Sequence, residues 1–252
     1  MIEPLLLAAL GGVLIGLLLT VFGGGGSVLA TPWLIYVVGV GDTHLAIGTS
    51  AAAVAVNALT GLVAQARAGT VKWPCASVFG LAGLAGALAG AHVGQLIDGK
   101  TLLNWFAFAM IAIAVSMLVP RKSAGDPAVH LTGPMVLKLA PVGLAAGFAA
   151  GFFGIGGGFL IAPGLMASTG MTLANASASS LLSVTLFGSA TSASYAFSGL
   201  VDWALFAALV AGGVLGAVLG LPLSRWLAGR VAIARTSFAA MVIGVALFIL
   251  IA

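Results

Sequence analysis

The stretches "VFGGGGSVLATP", residues 21–32, and "FFGIGGGFLIAP", residues 152–163, decide the fold. A run of glycines is a poor helix former, because glycine gives up the most backbone freedom on ordering and shields no polar group. Yet both runs lie in long uncharged stretches, 4–41 and 139–201. Phe22, Gly23, Gly25, Gly26, Leu29 and Pro32 return as Phe153, Gly154, Gly156, Gly157, Leu160 and Pro163, each 131 positions later. Further along, at a shift of 130, Gly69, Val71 and Trp73 return as Gly199, Val201 and Trp203, and Gly83, Gly86 and Gly90 as Gly213, Gly216 and Gly220. Similarity kept in order over this distance means duplication. The chain is read as a first repeat, residues 1–119, a polar cytoplasmic linker, 120–134, and a second repeat, 135–252.

Composition supplies the class. Apolar residues make up 62% and charged residues 6%, whereas a soluble domain is about one quarter charged. Several uncharged runs meet the roughly 18–20 residues that a spanning helix needs, and the alternation of barrel strands is absent. The opening "MIEPLLLAAL" has no basic leader region and reads as the start of a span. The expected fold class is therefore an all-α polytopic membrane protein in the plasma membrane, the inner membrane in a Gram-negative source.

Charge placement selects the number of crossings. With residues 4–38 crossing once, each half has four spans, eight in total, and the nine basic residues divide five against four. With each glycine run separating two crossings, each half has five and the total is ten. Eight of the nine basic residues then share one side, with only Lys100 opposite, and Glu3, Asp42, Asp98 and Asp202 lie across from them. The positive-inside rule favours this second count, with both termini outside. An odd number per unit makes the halves inverted repeats. Residues 27–38 and 159–169 would reach only about 18 Å at 1.5 Å per residue, so they must be shielded by protein or enter partway into a hydrocarbon core of about 30 Å.

Freed backbone groups at membrane depth are tolerated only where protein or a wet cavity covers them. Paired interrupted helices at matching places in two halves point to a transporter's binding site. Amide groups converging from glycine-rich turns, and the helix starts expected near Ser27 and Phe159, favour an anion. No Asp or Glu falls inside an expected span, which speaks against cation-coupled chemistry. Uncharged donors are available instead, in Ser27, Thr49, Ser50, Asn57, Ser179, Ser180, Ser183 and Thr185. Many helical hydroxyls bond only their own backbone; Thr49, Ser50, Ser179 and Ser180 stand out because they pair across the repeats. The candidate substrate-binding residues are Gly23, Gly25, Gly26, Ser27, Thr49 and Ser50 in the first half, with Gly154, Gly156, Gly157, Gly158, Ser179 and Ser180 in the second.

The duplicated glycine run ending in proline is followed by "AIGTS" (46–50) or "ASASS" (176–180) and then by a G-x-V-x-W signature. In this order the motifs resemble the sulfite exporter TauE/SafE family, also called the toluene-sulfonate uptake permease family, over nearly the whole chain. The resemblance implies secondary transport of small sulfur-containing or organic anions such as sulfite, sulfonates or sulfoacetate. The first run lacks a counterpart of Ile155, and Asp202 stands where the first copy has Lys72, which leaves the substrate open. A passive anion channel is the alternative; linear, current-carrying flux would mark it, and saturable counter-exchange a carrier.

Other classes find little support. An intramembrane enzyme would need a nucleophile with a base, paired carboxylates or metal ligands, and no lysine follows the glycine runs to make a P-loop. No cofactor or metal is expected. The expected partners are a small anionic substrate and the lipid bilayer, not nucleic acid, with a homo-oligomer left open. Cys75 is expected to pack, His92 to sit in a span as a neutral hydrogen-bonded side chain, Arg67 and Lys72 to set topology, and Trp73 and Trp203 to anchor span ends. Asn57, Gln65 and Tyr195 are too isolated to assign.

Overall fold

A computed structural model describes residues 2–118, 125–154, 158–228 and 231–251. The first half comprises α1 (Ile2–Phe22), a short arm, α3 (Thr43–Arg67), α4 (Trp73–Gln95) and α5 (Gly99–Leu118). The second comprises α6 (Gly133–Phe153), α7 (Gly158–Thr169), α8 (Leu173–Phe197), α9 (Trp203–Ala228) and α10 (Val231–Ile251). The arm is wound in three ways: a 3-10 turn over Gly23–Leu29, the α-helical turn α2 over Ala30–Pro32, and a π turn over Trp33–Val37. Among the described residues no strand occurs, and β pairing is limited to an isolated bridge between Asp126 and Met171.

The arm corrects the expectation of a helix beginning near Ser27. The glycines are themselves coiled, tightly, and the π turn follows because Pro32 has no N–H and the Trp33 indole is pulled back into the groove at Gly11, donating from Nε1 to the Leu7 carbonyl at 2.9 Å. In the second half α7 is a single helix of 12 residues, about 18 Å long. Left-handed glycines close matching elements in both halves: Gly23 and Gly154 (φ +66° and +68°), Gly39 and Gly170 (+84° and +73°), Gly69 and Gly199 (+70° and +72°). Only glycine adopts this conformation without cost, which explains why these positions recur.

Among the described residues five helices, α1, α3, α4, α6 and α9, are long and apolar enough to cross a bilayer. Helix α8 is as long as α3, 25 residues, but its serines and threonines lower its hydropathy. It can be that polar because it is buried against α3. The outward faces carry an apolar sheath, including Leu6, Leu10 and Leu14 on α1, Leu81 and Leu88 on α4, and Leu215 and Leu219 on α9. A surface of this kind matches lipid.

The helices pair by exchange between the halves. Helix α1 lies along α9, and α6 along α4, and each interface is a ladder of glycines seated on the facing main chain. Gly86 abuts the Leu144 carbonyl, Gly90 that of Phe148, Gly147 that of Gly83 and Gly151 that of Ala87. On the other side Gly12 abuts the Leu209 carbonyl, Gly16 that of Gly213, Gly212 that of Ala9 and Gly216 that of Val13. Close backbone approach of this sort replaces the hydrophobic drive that lipid removes. The third helices face each other: Gly48 meets Tyr195 and Leu200, Gly188 meets Ala51 and Ala55, and Gly61 meets Leu181. Numbers rise on one helix as they fall on the other, so α3 and α8 run antiparallel. The fifth helices, α5 and α10, also pair, around Phe106, Met110, Phe238 and Val242. The linker's Asp126 donates its N–H to the Gly170 carbonyl at 2.9 Å, and Asn175 Nδ2 donates to the Pro127 carbonyl at 3.1 Å, which pins the linker to the turn between α7 and α8.

Gly86→Leu is expected to lower the thermal unfolding temperature of the detergent-purified protein, at a cost of roughly 1–3 kcal/mol for overpacking. Gly244→Ala, at an exposed position with nothing within 4 Å, is expected to leave it unchanged or raise it slightly, since alanine is the better helix former.

Candidate functional site

The two glycine runs meet. The main chain of Gly24 and that of Gly158 touch, and neither residue has room for a Cβ. Around this contact Gly23 is seated on the Ser177 carbonyl and its counterpart Gly154 on the Ile47 side chain, so each run is wedged against the third helix of the opposite half. Gly26 closes back on the backbone of Leu18 and Leu19, and Gly25 lies within the 3-10 turn. Gly156 and Gly157 fall outside the described residues. The motif phenylalanines are also exchanged: Phe22 packs on Phe238 of α10 with ring centroids 5.0 Å apart, and Phe153 on Phe106 of α5 at 5.7 Å.

A compact set of hydrogen bonds holds the turn. The Gly24 amide donates to Ser180 Oγ at 3.1 Å, Ser180 Oγ donates to the Ser177 carbonyl at 2.8 Å, and Ser27 Oγ donates to the Gly24 carbonyl at 2.9 Å. Ser27 and Ser180 are completely buried. On the first half's side Ser50 Oγ donates to the Ile47 carbonyl at 3.0 Å and lies 2.7 Å from Thr31 Oγ1. Gly24, Ser27, Ser180 and Gly158 thus form one cluster where the halves join, while Ser50 and Thr31 form a separate buried hydroxyl pair between the arm and α3.

Thr49 and Ser179 have a different task. The Asp202 amide donates to Thr49 Oγ1 at 2.9 Å, and the Lys72 amide to Ser179 Oγ at 2.9 Å. Each hydroxyl therefore tethers the chain just ahead of the fourth helix of the other half, Thr49 serving α9 and Ser179 serving α4. Asp202, the departure from the first repeat, accepts from the Ala204 and Leu205 amides at 2.9 and 3.0 Å and so caps α9.

The cluster's electrostatics come from dipoles. Among the described residues every buried polar side chain is uncharged. Several hold unpartnered atoms, including Ser183 Oγ on the face of α8 toward Gly80, Thr191 Oγ1 and Asn57 Oδ1. Asn57 Nδ2 donates to the Leu209 carbonyl at 3.4 Å. Thr185 bonds only the Leu181 carbonyl of its own helix, as helical hydroxyls often do. Arg67 and Lys138 are exposed, Trp73 and Trp203 are exposed at matching helix starts, and Cys75 is buried in the core. His92 is also exposed, on the outer face of α4, which corrects the expectation of a hydrogen-bonded interior histidine. Gln65 accepts from Thr70 Oγ1 at 2.9 Å, and Tyr195 lies fully buried beside His44.

Sequence reasoning passed over Gly24 and Thr31. Gly24 stands opposite Ile155, where the second run has no glycine, and Thr31 opposite Ala162, where it has no hydroxyl, so the duplication singles out neither.

A multi-pass, all-α membrane protein built from glycine-laddered helices, with a buried uncharged cluster where two broken segments meet, has the form of a membrane transporter. Comparison with known proteins agrees. The family model for the sulfite exporter TauE/SafE matches residues 8–249, and the chain belongs to this family. It is 43% identical over 250 residues to a probable membrane transporter protein of Xylella fastidiosa, covering 99% of this chain and 96% of that one. It is 28% identical to the probable membrane transporter protein YunE of Bacillus subtilis, covering 85% and 86%. No solved structure matches. The protein is a membrane transporter.

Thr49→Val and Ser179→Ala each leave a backbone N–H without its acceptor. Each is expected to destabilise the protein by roughly 1–3 kcal/mol in thermal unfolding, with Thr49→Ser close to wild type.

Proposed function

We propose that the protein is a secondary carrier of small sulfur-containing or organic anions, of the sulfite, sulfonate or sulfoacetate type. The anion is held by backbone amides and hydroxyls where the glycine runs meet. The observation that carries this reading is the Gly24 amide: a buried main-chain donor, in a turn packed against Gly158 and the Val184 side chain, whose acceptor is the rotatable hydroxyl of Ser180. An arriving oxyanion takes the amide, and Ser180 turns its proton from the Ser177 carbonyl to the anion. The hydroxyl thus holds the amide's place in the empty carrier and becomes a second donor in the loaded one. Charge-assisted bonds of this kind are roughly twice as strong as neutral ones, so the exchange favours binding.

The absence of buried cations among the described residues suits a carrier. Burying a lysine or arginine at the centre of a span costs about 2.5–3.5 kcal/mol, and a fixed positive charge would also retain the anion. The antiparallel course of α3 and α8 supports reading the halves as inverted repeats, with the cluster at their interface and rocking of one half against the other exposing it to each side in turn. The short arm and α7 fit broken helices that stop at such a site.

The test is uptake of sulfite and sulfoacetate by the protein in liposomes. Saturable uptake that accelerates when the same anion is loaded inside is expected, and Ser180→Ala is expected to raise the half-saturating concentration about tenfold, the loss of one charge-assisted bond. Linear, current-carrying flux would overturn the carrier reading in favour of a channel. An unchanged half-saturation in Ser180→Ala would remove this cluster from the mechanism.

A further inference from the structure

The repeats place Ser50 and Ser180 at equivalent positions, but their surroundings differ. In the second half the place of Thr31 is taken by Ala162, which has no hydroxyl, and the Ser180 oxygen accepts from the Gly24 amide. Ser50 faces Thr31, and the two hydroxyl oxygens are 2.7 Å apart, both buried to within 1% of completely. Because the Ser50 proton goes to the Ile47 carbonyl, Thr31 is the donor in this pair. The order is Thr31 to Ser50 to Ile47.

We infer that Thr31 is a positioning residue for the anion site, and that it makes Ser50 a directed donor to an oxyanion. This rests on the carrier reading above and names a residue that acts within it. A serine hydroxyl bonding its own helix is ordinary. A serine whose oxygen is also fed by a second buried hydroxyl is not, since Thr31 gains no partner of its own by the arrangement except Ser50. While Thr31 holds the Ser50 oxygen, that side chain can swing only its proton, from Ile47 to an acceptor entering between the arm and α3. Chains of hydrogen bonds polarise one another, so the donor at the end of the chain is strengthened. The arrangement suits ligands that only accept, such as a sulfur oxyanion or a carboxylate, and disfavours ligands presenting N–H or O–H at that point. The two halves thereby contribute unequally, with an amide-fed hydroxyl from α8 and a hydroxyl-fed one from α3.

The test is binding of sulfite and sulfoacetate to the purified protein by calorimetry, with thermal unfolding alongside. Thr31→Val keeps the shape and removes the hydroxyl; it is expected to weaken binding of whichever probe binds wild type by about fivefold to tenfold. Thr31→Ser is expected to restore it. Ser50→Ala is expected to match Thr31→Val, and the double variant to be no weaker than Ser50→Ala, because the two hydroxyls act as one unit. Should Thr31→Val fold poorly, Thr31→Ala supplies the same comparison. Wild-type affinity in the threonine variants, or losses that multiply in the double variant, would overturn the inference and leave the carrier reading standing. Binding of neither anion to wild type would overturn both, and so separates the two failures.

Discussion

Each half of this protein is held in shape by the other. The Asp202 amide rests on Thr49 and the Lys72 amide on Ser179; Phe22 packs on Phe238 and Phe153 on Phe106; α1 lies on α9 and α6 on α4. In lipid, apolar surface alone gives helices little reason to associate, and the glycine ladders answer that by bringing main chains into contact. The exchange of contacts then fixes where the two broken segments can go. They can only meet, at Gly24 and Gly158.

That meeting point sets the chemistry. Main chain released from helical bonding inside a membrane has to be covered or used, and here one amide is covered by a hydroxyl that can leave it. The surrounding buried side chains carry hydroxyls and amides and, among the described residues, no charge. In the proposed carrier, attraction for an anion would come from oriented dipoles, a seat that can hold a charge without retaining it.

Much of this was legible in the sequence. The membrane class followed from composition, and Gly83, Gly86 and Gly90, which recur as Gly213, Gly216 and Gly220, lie in the helices that pair across the halves. Gly23 and Gly154 broke their helices where expected, in the left-handed conformation. Other features depended on tertiary context. The 3-10 winding of the glycine run comes from wedging against Leu18, Leu19 and Ser177, which no local propensity records. Thr49 and Ser179 paired across the repeats because each tethers the opposite half, a cause that pairing alone does not distinguish from ligand binding. His92 was misplaced because depth along a helix says nothing about which face a residue takes. Thr31 has no hydroxyl counterpart at Ala162, so the duplication does not single it out.

The most direct test of the central claim is a crystal structure with selenite, a heavier analogue of sulfite, whose anomalous signal locates the anion. The expected peak lies within hydrogen-bond distance of the Gly24 amide and Ser180 Oγ. A fully occupied peak elsewhere, for instance beside Arg67 and Lys72 with the Gly24 amide still on Ser180, would contradict it.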